Sequence, residues 1–282
     1  MNAIHSLPLA VLVGCAAAPT PTQYSPRDSM SADDARRVIA EYRFPADCCR
    51  WVTLGLPKGA LAAEGVNDAW SSGPHGGLPI AGITTSEDRL VVKTKAFQGQ
   101  LQGQSSAKSI TKTFLLEELV LPPVRFTESN WGYTDAWISI KRGWTIYDGA
   151  NRDASNPQRL ADALYVLKQG AIKKESEMDA RVAASVNRGA PSSEYLRRVQ
   201  IQAASAVKAK RFDDAIDLFG RALDSEPAWA DGHYNRAVIL AETGSYGMAV
   251  REMKRYLKLR PDAADARALQ DQIYAWEAKA KY

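Results

Sequence analysis

"RFDDAIDLFGRALDSEP" (Arg211 to Pro227) and "SYGMAVREMKRYLKLRP" (Ser245 to Pro261) are the stretches that decide the fold. Laid over one another they stay in phase: Phe212 and Tyr246, Ala215 and Ala249, Leu223 and Leu257, and Pro227 and Pro261 each stand 34 residues apart. Each stretch predicts a helix. Its small Ala lets a partner helix lie close, its aromatic fills the preceding turn, and its Pro ends it. The residues before each stretch predict a first helix. One runs from Glu194 to Ala209 with Ala203 at the tight-packing position; the other runs from Gly232 to Thr243 with Ala237 there, and Gly244 closes it. A last, unpaired helix is expected from Ala263 to Lys279. It has Leu269, Ile273 and Trp276 on one side and charges opposite, as a solubilising cap requires.

Helix pairs repeating every 34 residues resemble the tetratricopeptide repeat, here two repeats plus a capping helix over 191–282. The resemblance implies a groove for peptides or partner helices, lined by the inner face of each first helix. The matching positions are Arg197, Gln200, Ala204, Val207 and Lys208, then Asp231, Tyr234, Val238, Ala241 and Glu242. Of these, Arg197, Gln200, Lys208, Asp231, Tyr234 and Glu242 are the expected binding residues. Tyr234 is the expected anchor, since an aromatic ring buries much area at little rotamer cost. The paired Lys and Asn that clamp a terminal carboxylate in this family have no match here. The implied partner segment therefore carries an apolar anchor and mixed charge.

The chain opens on an apolar run, Leu7 to Gly14, far too short to span a bilayer but suited to the h-region of a secretory signal. It ends in Leu12-Val13-Gly14-Cys15, which resembles a bacterial lipobox. "MNAIHS" before it departs from such signals in having no Lys or Arg. The resemblance implies a signal peptide over 1–14 and a palmitate-type lipid anchor on Cys15. With Ala16 rather than Asp after the cysteine, it implies the outer membrane, facing the periplasm. Residues 15–31, small, polar and Pro-containing, are expected to be a flexible tether, because they hold too little apolar surface to fold. In an oxidising compartment Cys48 and Cys49 are expected as buried thiols beside Trp51, with a vicinal disulfide or intermolecular pairing left open.

Between these ends, residues 32–170 read as an α+β domain. Ser31 caps a helix to about Arg43, with two acids in its first turn. β-rich runs follow over Arg89–Phe97, Ser109–Phe126 and Asp135–Gly149, where Trp137, Ser139 and Lys141 alternate with Ile138 and Ile140, and Gly143 marks a turn or a bulge. Asn156, Pro157 and Gly170 bound a helix whose Leu160, Ala163, Leu164 and Leu167 form one apolar stripe. Antiparallel strands followed by one packing helix resemble, in outline, a pleckstrin-homology-like domain. A charged helix over 171–190 then links this domain to the repeats. The expected class is α+β: a mostly antiparallel β domain with a packing helix, then an all-α array.

Chemistry is thin in this sequence. With 36 basic and 32 acidic residues the net charge is +4, and no Lys/Arg stripe exists, so nucleic acid is not an expected partner. Three Cys and three His without a Cys-x-x-Cys spacing argue against zinc, and no other cofactor is expected. Nucleophile-elbow, P-loop and His-Glu-x-x-His motifs are all missing. His75 lies in a Gly/Pro loop, and Glu117 and Glu118 are expected on opposite faces of one strand, too far apart to cooperate. The expected function is not an enzyme's. It is that of a membrane-anchored periplasmic scaffold or adaptor, with a membrane partner through Cys15 and an envelope protein in the groove. The alternative is a lipid or small apolar ligand held by the β domain, near a loop from Ser71 to Gly82.

Overall fold

The computed structural model describes residues 22–42, 51–55, 78–86, 88–95, 97–101, 104–128, 134–141, 143–151, 155–186, 188 and 191–280. Cys15 with its lipobox, Cys48, Cys49, His5 and His75 lie outside the described residues. The chain divides into two compact units, Met1–Lys168 and Gln169–Tyr282. The first is an antiparallel β unit and the second an array of helices, so the class is α+β.

In the first unit, β1 (Thr22–Tyr24), β2 (Trp51–Gly55), β3 (Leu78–Thr85), β4 (Arg89–Thr94), β7 (Thr111–Leu115), β8 (Val124–Glu128), β9 (Thr134–Lys141) and β10 (Trp144–Asn151) form one sheet. Their order is β1-β8-β9-β10-β2-β3-β4-β7, while β5 (Phe97–Leu101) and β6 (Gln104–Lys108) make a separate hairpin. Alternation holds in β9, whose Ala136, Ile138 and Ile140 are buried between partly exposed neighbours. Gly143 makes the β9–β10 turn at φ 78°. Leu54, Ile80, Leu90, Ile138, Ile140 and Ile146 fill the interior, joined by Leu160 and Leu164 from α2 (Ser155–Ala183).

Four expectations change here. The tether does not extend to residue 31. Thr22–Tyr24 pairs with β8, and three groups converge on the buried carboxylate of Asp162: the Tyr24 hydroxyl at 2.8 Å, the Arg27 amide at 3.0 Å and the Ser29 hydroxyl at 2.9 Å. Backbone pairing and polar bonds hold the segment where apolar burial alone does not. After it, α1 (Ala32–Glu41) starts on Ser31, whose side chain accepts from the Asp34 amide, and buries Ala35 and Ile39. Its end is tied by a hydrogen bond from Tyr42 to Asp148.

Second, Gly170 does not stop a helix. α2 runs on to Ala183 because the apolar stripe continues through Ala171, Met178 and Val182, and one interior Gly costs only about 1 kcal/mol against Ala. The expected link over 171–190 is therefore mostly the second half of α2, and it belongs to the helical unit. Third, Glu117 and Glu118 sit in a turn after β7, where Glu118 pairs with Lys141 at 3.0 Å. Fourth, Leu78–Gly82 is not loop but the start of β3, with Leu78 and Ile80 buried.

The second unit continues with α3 (Glu194–Lys208), α4 (Phe212–Ser225), α5 (Ala230–Glu242), α6 (Tyr246–Leu259) and α7 (Ala266–Ala280). The four small residues of the repeat, Ala203, Ala237, Ala215 and Ala249, are all buried, as close helix packing demands. Lys210 and Gly244, themselves 34 apart, take the same left-handed turn at φ 57° and 79°. α7 packs through Ile273 and Trp276, and Lys254 of α6 pairs with its Glu277 at 2.7 Å.

Candidate functional site

Short turns join α3 to α4 and α4 to α5, so consecutive helices are antiparallel and α3 and α5 run the same way. On α3, Arg197, Gln200, Ala204 and Lys208 are exposed; on α5, Asp231, Val238 and Glu242 are exposed, and Val207, Tyr234 and Ala241 are half-buried. Helical geometry lines up Arg197, Ile201, Ala204 and Lys208 as one stripe and Asp231, Val238 and Glu242 as another. The face is apolar in its middle. Ile201 is 61% exposed and Val238 44%. Ile201 escapes a repeat-based reading because its counterpart 34 residues on is polar Asn235. Spacing along its own helix, four after Arg197, is the signal that finds it.

Tyr234 is more committed than an open anchor. Its ring packs on Tyr256 of α6 with centroids 5.3 Å apart at 58°, giving one side to the fold. Burial, and then the charges of Asp265 and Asp231, push the Tyr256 hydroxyl up. Asp231 thus stands close to this tyrosine pair.

Behind the face lies a buried ionic network with no counterpart in the expectations. Glu252 on α6 meets His233 Nδ1 at 2.5 Å, Arg236 at 2.6 Å and Arg255 at 3.2 Å. His233 and Glu252 are 0% and 1% exposed, and His233 Nε2 stands 3.1 Å from the Pro227 carbonyl. Burial alone would raise the Glu252 pKa, but Arg236, His233 and Arg255 hold it far below the usual carboxylate range. Arg255 also reaches Glu175 and Asp179 of α2, each at 2.7 Å, and Arg251 reaches Glu175 at 3.1 Å. The second half of α2 is thereby fastened to α6. A sequence signal existed: Glu252 and Arg255 interrupt an otherwise apolar helix face of Met248, Ala249 and Met253.

An open recess of about 390 Å³ between α3 and α4 is lined in near-equal measure by polar and apolar surface, with Ala206 and Leu218 beside Gln202, Ser205, Asp217 and Arg221, and with Arg211 held by Asp214 at 2.6 Å. Its apolar residues are buried (Ala206) or half-buried (Leu218), unlike the exposed Ile201 and Val238 of the α3–α5 face.

Residues 206–273 match the family model for the tetratricopeptide repeat. That span runs from the end of α3 into α7 and includes both period-defining stretches. No curated protein matches the chain. Repeats of this family are generally protein-interaction modules.

Proposed function

We propose that this chain is a lipid-anchored protein of the bacterial cell envelope that holds a protein partner on its α3–α5 face. One observation carries the binding half: Ile201 and Val238 face solvent between flanking charges on first helices of a repeat array. Apolar groups ringed by charge are what a partner's anchor residue covers. Ile201→Glu and Val238→Glu each place a charge there without touching the core. Each is expected to reduce capture of the partner from envelope extract at least about tenfold, with an unchanged thermal melt by circular dichroism. Undiminished capture by both folded variants would place binding elsewhere. These two positions test the face more cleanly than Tyr234→Ala, which also removes the packing on Tyr256.

The anchoring half rests on the Leu12–Cys15 motif. Residues 16–21 separate Cys15 from β1, so an acylated Cys15 leaves the β unit within about 20 Å of the bilayer at ~3.1 Å per residue. A docked segment over Thr22–Ser29 fits such close tethering. Radiolabelled palmitate is expected to enter the wild type and to be lost in Cys15→Ser; equal labelling of both sinks the anchor. An outer-membrane, periplasm-facing location follows from the same motif with Ala16 after the cysteine. For the β unit, an antiparallel sheet followed in sequence by α2 is what supports the pleckstrin-homology-like outline.

A further inference from the structure

We propose that the α3–α5 face pairs with the same face of a second copy of this chain, across a two-fold axis parallel to the two helices. The proposal rests on reading that face as a protein-binding surface and names its occupant. Positions 34 apart carry opposite charge: Arg197 answers to Asp231, and Lys208 to Glu242. α3 is thus basic at both ends of its stripe and α5 acidic at both ends of its own. Between the charges lie Ile201 and Ala204 on one helix and Val238 on the other, all exposed.

A two-fold axis along the helices lays α3 of one copy over α5 of the other, both running the same way. Arg197 then meets Asp231 of the partner subunit, and Lys208 meets Glu242 of the partner subunit. Symmetry repeats both pairs, so four opposite-charge pairs frame a shared apolar centre. The competing two-fold axis, perpendicular to the helices, lays α3 on α3 and α5 on α5. It brings Arg197 against Lys208 of the partner subunit and Asp231 against Glu242 of the partner subunit, like charge on like, which opposes association. Charge alone therefore selects one arrangement. Arg197 is available for it, since its contact within the chain is a highly exposed pair with Glu194 at 4.0 Å. Beside Asp231, the Tyr234 and Tyr256 rings offer an incoming guanidinium a flat surface to lie on.

The area sets the strength. Helices of this length span about 20 Å, so two such stripes bury less than the ~800 Å² per partner of a permanent interface. A weak, concentration-dependent dimer is the expected state.

Sedimentation velocity of the full chain carrying Cys15→Ser, from about 1 to 100 µM at low salt, reads this directly. The wild-type surface is expected to move from monomer to dimer across that range and to weaken as salt screens the pairs. Arg197→Glu and Asp231→Arg each alter two pairs per dimer, and each is expected to weaken association at least about tenfold. The double variant restores all pairs with reversed sign and is expected to return within about threefold of the starting affinity. Lys208→Glu with Glu242→Lys repeats the test at the other end, and unchanged circular dichroism melts show that every variant folds. A chain monomeric at all concentrations, or a dimer indifferent to the single swaps, overturns the proposal. Monomeric protein that still loses an envelope partner through Ile201→Glu would overturn self-pairing while leaving the face a protein-binding surface.

Discussion

Glu252→Ala is expected to lower the unfolding free energy of the helical unit by about 3–5 kcal/mol, the usual cost of removing one partner from a buried ionic cluster. Glu252 is buried and contacts Arg236, His233 and Arg255, while Arg236 and Arg255 have side chains only 11% and 4% exposed. Without the carboxylate, cationic groups remain in low dielectric. Glu175 and Asp179 compensate Arg255 in part, which keeps the loss near the lower end of that range. Urea denaturation is expected to show a lower midpoint at unchanged slope.

The effect has a signed pH dependence. The folded-state pKa of Glu252 is depressed, so its contribution is fully present above the unfolded glutamate value of about 4.3 and is lost as pH falls below it. The gap between wild type and Glu252→Ala should therefore be widest above about pH 5 and narrow steadily toward pH 3. A gap that stayed constant across this range would mean that Glu252 acts through packing and not charge.

Much of the helical unit was readable because its constraint is periodic. Ala203, Ala215, Ala237 and Ala249 recur in register, and a small residue at a close helix crossing is a requirement that one sequence can display twice. The β unit offered alternation in β9 and little more, since pairing partners such as Gly149 and Trp51 are nearly a hundred residues apart. Composition misread residues 22–31. Counting apolar surface cannot see one edge-strand pairing and three bonds to Asp162. Gly170 misled for the opposite reason: a local breaker was weighed above a stripe that continued on its far side. In the candidate site, spacing located the exposed stripe positions, whereas the His233–Glu252 network joins α5, α6 and α2 and shows only as polar interruptions within each. Tyr256 was invisible for the same reason. It completes the site from α6, outside the first helices to which the repeat pattern directs attention.

Trp229→Ala is expected to cost about 3–5 kcal/mol, because the indole is the wedge between the two repeats. It stands immediately before α5, is 6% exposed, and packs on Phe219 of α4 with ring centroids 5.6 Å apart. Its other neighbour is Gly232 in the first turn of α5. A Cβ on residue 232 would lie 2.4 Å from the indole Cε3 and 2.7 Å from Cδ2, so the glycine is there to let the ring lie flat on the helix backbone. Gly232→Ala on its own must displace a rigid, buried ring that also packs on Phe219. Overpacking of this kind costs about 1–3 kcal/mol, outweighing Ala's helix propensity advantage of about 1 kcal/mol. With the ring removed, the same methyl meets no indole, and only its helix-favouring effect remains. The double variant Trp229→Ala/Gly232→Ala is therefore expected to be at least as stable as Trp229→Ala alone, a coupling of about 1–3 kcal/mol in a double-mutant cycle. Chemical denaturation of the four proteins measures it. Strictly additive losses would show that the glycine is required for its backbone and not for the tryptophan lying over it.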